Sequence, residues 1–179
     1  MYPECIAPEC DTDGINLRSR ETPAKNEAMN DLEAAEGYLQ LEMAEDALVE
    51  LRNMPTREQN SERYKELLLA TQMMLKHWNS AAATAQELCK MDGKEKSYFI
   101  HAAFCLHETG ETLAALQQLL SGPKSLINDS LYHYNLACYH AVLGNLTDAR
   151  SCLDKSFKLD PELEKTASED DDLKSLFVF

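Results

Sequence analysis

The chain has 179 residues, 44% of them hydrophobic and 27% charged, which suits one domain or one short repeat array with a buried core and excludes a wholly disordered polymer. Acidic residues number 31 against 17 basic, a formal net charge of −14 that repels phosphate backbones and anionic membrane surfaces, so neither nucleic acid nor a membrane is an expected partner. With only 6 Gly and 6 Pro there is too little turn chemistry for a sandwich or barrel of short strands, and the composition points to helix.

Residues 1–25 carry no hydrophobic periodicity and read as a mobile N-terminal tail. The opening MYPECIAPEC lacks a cationic start followed by an apolar run, and no window approaches 18 uninterrupted apolar residues, so a cytoplasmic location is expected. Cys5 and Cys10 form an isolated C-x4-C pair, too few ligands for a structural zinc site. Cys89, Cys105, Cys138 and Cys152 fall inside apolar helical stretches and read as reduced core thiols.

From residue 28 onward a fixed period governs the chain. Ala47, Ala81, Ala115 and Ala149 stand 34 residues apart, as do Ala35, Leu69, Ala103 and Ala137, and Leu51, Ala85, Leu119 and Leu153. Another column, Leu41, Leu75, Thr109 and Leu143, precedes an expected turn. Within the last copy the apolar spacing is helical over Leu131, Tyr134, Leu136, Ala137, Cys138 and Ala141, and again over Leu146, Ala149, Leu153 and Phe157, with Gly144-Asn145 between. Each copy is therefore a helix, a tight turn and a second helix, and small residues at Ala137 and Ala149 let two antiparallel helices approach closely. Gly110 and Gly144 occupy the turn column, where Glu42 and Lys76 stand in the first two copies and must adopt another backbone conformation or accept strain. Pro55 and Pro123, twice the period apart, cut short the second helix of the odd copies, so odd and even copies are expected to alternate in shape.

The copy YHYNLACYHAVLGNLTDARSCLDKSFKLDP, with Leu136-Ala137, Gly144, Ala149, Leu153 and Pro161, resembles the tetratricopeptide repeat. The resemblance implies an all-α, right-handed superhelical solenoid of four repeats at 28–61, 62–95, 96–129 and 130–161, closed by a C-terminal capping helix over 162–179. Leu163, Ala167, Leu173 and Leu176 are the expected inner contacts of that cap, with Phe177, Val178 and Phe179 packing beside them, while the run Glu169–Asp172 reads as solvated surface without the ligand spacing of a calcium loop.

In such an array the first helix of each pair lines a concave, peptide-binding surface. Carried over column by column, this surface comprises Leu32 and Glu36, then Glu66, Met73 and Met74, then Ile100, His101, Phe104 and His107, and finally Tyr134, Asn135 and Cys138. The groove so drawn is apolar, with adaptable methionines and with acids at Glu36 and Glu66. It implies a protein or peptide partner that is apolar or amphipathic with basic residues nearby; the N-terminal tail or a second copy in a homo-oligomer are competing occupants. The subgroup that clamps a C-terminal carboxylate with lysines, an arginine and asparagines is a poor match, since only Asn135 survives while Leu32, Glu36, Glu66, Ser97 and His101 fill the other columns.

No catalytic constellation is legible: there is no glycine-rich phosphate loop, no G-x-S-x-G and no H-E-x-x-H, and no two of the five histidines stand at i, i+4. The expectation is a non-catalytic interaction scaffold without cofactor or metal. A chaperone similar to those of type III secretion translocators is the alternative, and an accessory subunit of an enzyme or of a metal-dependent hydrolase is a second.

Overall fold

The computed structural model describes residues 26–177, with side chains from Leu32 onward. The expected tail at 1–25 with Cys5 and Cys10, and the expected packing of Val178 and Phe179, lie outside the described residues. Among the described residues every regular element is helical: α1 (Asn26–Gln40), α2 (Ala44–Asn53), α3 (Glu62–Met74), α4 (Trp78–Met91), α5 (Lys96–Glu108), α6 (Thr112–Leu120), α7 (Ser130–Val142), α8 (Leu146–Leu159), α9 (Leu163–Glu169) and α10 (Lys174–Phe177), with 3-10 turns at Lys124–Asn128 and Asp171–Leu173. Helices consecutive in sequence pack on one another from α1 through α8.

The turns inside the first four pairs repeat one hydrogen-bond scheme. The N–H groups of Glu42, Lys76, Gly110 and Gly144 reach back three residues to Leu39, Met73, His107 and Ala141, and those of Met43, His77, Glu111 and Asn145 reach back five to Tyr38, Gln72, Leu106 and His140. This Schellman arrangement satisfies carbonyls that the helix end leaves bare, and it requires a left-handed residue. All four supply one: Gly110 and Gly144 at φ 85° and 80°, and Glu42 and Lys76 at φ 58° and 55°. The first two turns therefore keep the shape of the others and carry the strain of a Cβ in the left-handed region. At the opposite ends the caps also recur, as Ser61, Glu95 and Asp129 accept backbone N–H groups from the first turns of α3, α5 and α7.

Small residues set the spacing within each pair. Ala47, Ala81, Ala115 and Ala149 are all fully buried, as are Ala35, Ala103 and Ala137, with Leu69 nearly so. The column before the turn differs, since Leu41 and Leu143 project into solvent. α2 and α6 run 10 and 9 residues against 14 each for α4 and α8. Met54 before Pro55 is extended, and Gly122 before Pro123 lies against Leu126 and Phe99, where an added Cβ would collide. The core has two parts: a small cluster of Ala35, Leu51, Met54, Tyr64 and Leu67, and a large one running from Leu69 to Leu176.

Two substitutions test this account by equilibrium denaturation. Glu42→Gly should raise stability by about 0.5–1 kcal/mol because strain relief exceeds the added chain entropy, whereas Gly110→Ala should lower it by about 1 kcal/mol. Ala149→Leu should lower it by about 1–3 kcal/mol through overpacking.

Candidate functional site

The odd-numbered helices stand side by side. α1 packs on α3 and α5 on α7, and α3 is joined to α5 through Tyr98, whose hydroxyl lies 2.6 Å from Glu66 and 3.0 Å from Glu62. Burial, and then these two carboxylates, push the Tyr98 hydroxyl well above the ordinary phenol range, so it stays a donor. Beside it Arg63 reaches Glu36 at 2.6 Å and Glu66 at 3.7 Å. The acids expected to present bare negative charge thus hold an arginine between them. This half of the face is mixed, with Leu32, Glu36, Glu66 and Ala70 half-buried and Met74 exposed.

The other half is covered by the chain's own C-terminal segment. Asp170 is 2% exposed and accepts from the Tyr134 hydroxyl at 2.8 Å, from the Cys138 thiol at 3.6 Å and from the Asp172 N–H at 3.0 Å. Asp172 lies 2.8 Å from His107 Nε2, whose other ring nitrogen is 3.0 Å from the Thr112 hydroxyl. Arg150 of α8 donates to the Leu176 carbonyl at 2.8 Å. Leu163, Ala167, Leu173 and Leu176 are buried, whereas Phe177 is 46% exposed: α10 is a single turn, and with Leu176 directed inward the next residue points out. The acidic run is accordingly not a solvated surface, since Asp170 is drawn inward by donors more than 30 residues away.

Several residues assigned to an open groove lie instead in the interior. Met73, Ile100, Phe104, Tyr134, Asn135 and Cys138 are each no more than 7% exposed, and Phe104 meets Trp78 edge to face at 5.6 Å. The reason is visible in α5 and α7. Tyr98–Ile100 and Ala102–Leu106 are buried in α5, as are His133–Tyr139 in α7, so these helices are covered nearly all round and have no free apolar stripe. His101 and His107 are half-buried. Asp170 and Asp172 are the site residues that helical spacing does not mark. The nearest signal is the i, i+4 pair Tyr134 and Cys138, two donors on one side of an interior helix that need an acceptor.

Chemically, the Cys138 thiol stands as a donor to the Asp170 carboxyl. Cys89 is held protonated, its thiol pushed up to about 11 by burial. No helix among the described residues is long and apolar enough to cross a membrane. No family model matches the chain, and no curated protein matches its sequence.

Burial is the main cause that raises the Asp170 carboxyl above its ordinary range, outweighing the Tyr134, Cys138 and Asp172 donors. Folding therefore favours the protonated acid. Its contribution is complete below about pH 4 and is lost as pH rises through the raised value. Asp170→Asn should remove that decline, which is measured by comparing denaturant midpoints of the two proteins from pH 4 to 7.

Proposed function

We propose that this chain is a tetratricopeptide-like array of four repeats that acts in the cytoplasm as a non-catalytic scaffold, holding a segment of another protein along the free half of the face built by its odd-numbered helices. The observation that carries this reading is the 34-residue recurrence of one helix pair, down to the left-handed turn residue at 42, 76, 110 and 144. Repetition of that kind builds an extended surface rather than a single pocket, and extended surfaces suit linear ligands. The C-terminal segment covers the half near Tyr134 and Cys138, so a ligand is assigned to Leu32, Glu36, Glu66, Ala70 and Met74. Half-buried and exposed apolar groups beside Glu36 and Glu66 fit an amphipathic segment with basic residues.

Site-specific photo-crosslinking in the native cell tests the location. A crosslinker at Met74 should capture a partner, whereas one at Val49, exposed on α2, should not; capture at Val49 alone would move the binding surface to the even-numbered helices. Arg63 neutralises the two acids from within. Arg63→Ala should therefore speed association of a basic amphipathic peptide several-fold at low salt and steepen its salt dependence, as read by stopped-flow mixing.

A further inference from the structure

The junction between the C-terminal segment and α7 gathers more metal-ligating groups than a latch requires. One ligand atom from each of Cys138, Asp170 and Asp172 lies within 4.8 Å of the others, and the first two residues are buried. We propose that Cys138, Asp170 and Asp172 form a binding site for a divalent cation of the zinc class, closed when the C-terminal segment docks on α7.

The donor set selects the class of ion. Calcium and magnesium take oxygen ligands alone, whereas zinc and its neighbours accept thiolate, carboxylate and imidazole together. A tetrahedral zinc ion with bonds of about 2.3 Å to sulfur and 2.0 Å to oxygen separates those two atoms by about 3.5 Å. Cys138 Sγ and Asp170 Oδ2 already stand 3.6 Å apart. His107, from a third element, holds Asp172 at 2.8 Å and is itself fixed at 3.0 Å by Thr112, the outer-sphere support typical of metal carboxylates. A second observation comes from Asn135, one helical turn before Cys138 on α7. It is fully buried, and neither atom of its amide has a hydrogen-bond partner. Such a group is accounted for by an ordered water or an ion close by.

Binding exchanges one proton for the ion: the Cys138 S–H bond breaks, a sulfur–metal bond forms, and the proton leaves to solvent. The two carboxylates supply oxygen ligands, and water takes the fourth position. Because Cys138 is fully buried, the ion enters only when the segment lifts, so binding and docking reinforce each other.

Titration of the chelator-stripped full chain with cobalt(II), then displacement by zinc, tests the proposal. One equivalent should bind with a thiolate-to-cobalt charge-transfer band and release of a proton, and zinc should protect the C-terminal segment from limited proteolysis. A Cys5→Ser/Cys10→Ser variant should keep the band. Cys138→Ser should lose it, and Asp172→Asn, at a half-buried position, should weaken binding at least tenfold. His107→Gln should keep the band but lower affinity about tenfold. Absence of the band, its persistence in Cys138→Ser, or unchanged affinity in Asp172→Asn would each show that the cluster is a hydrogen-bonded latch only and overturn the assignment. If Cys138→Ser fails to fold, the Asp172→Asn affinity decides.

Discussion

The left-handed residue that closes each helix pair is the constraint on which the rest depends. It reverses the chain within three residues, so the second helix begins at 44, 78, 112 and 146 and must lie against the first. That approach leaves room only for small side chains where the helices meet, which is why the column from Ala47 to Ala149 is fully buried. With both ends of the turn fixed, odd-numbered helices fall beside odd-numbered ones. The polar contacts that join them, Glu36 to Arg63 and Tyr98 to Glu66, are consequences of this order. That two of the four turns keep their geometry without glycine shows that packing between the helices outweighs a local penalty of about 1–2 kcal/mol per turn.

What was legible in the sequence is what repeats locally. The alanine columns and the prolines at 55 and 123 act within one helix pair, so spacing alone places them. The cap column at 61, 95 and 129 is harder to see because its residue changes from Ser to Glu to Asp while its task stays the same. The face expected to be open is closed where α5 and α7 are buried nearly all round. A helix whose polar residues are themselves buried, as His133 and Asn135 are, does not say which flank meets solvent, and Phe104 and Tyr134 are enclosed by Trp78 and by the C-terminal segment. Asp170 escaped for the opposite reason. A run of acids reads as surface, and only the fold brings it to a hydroxyl and a thiol distant in sequence.

The C-terminal segment thereby does more than shield an apolar end. Its leucines fill the hydrophobic edge, while Asp170 accepts from the buried Tyr134 hydroxyl and Cys138 thiol. Packing and hydrogen bonding thus fix the same segment by independent means.

The division of the core into two clusters gives the molecule a graded cooperativity. Among the described residues α3 contributes Tyr64 and Leu67 to the small cluster and Leu69 and Met73 to the large one, so it is the seam between them. Amide exchange in α1 and α2 should accordingly be faster than in the helices beyond α3. The part of the odd-helix face at Glu36 lies on the N-terminal side of that seam. A partner lying across Glu36 and Glu66 would add contacts beside the smaller cluster, so that recognition and local order rise together.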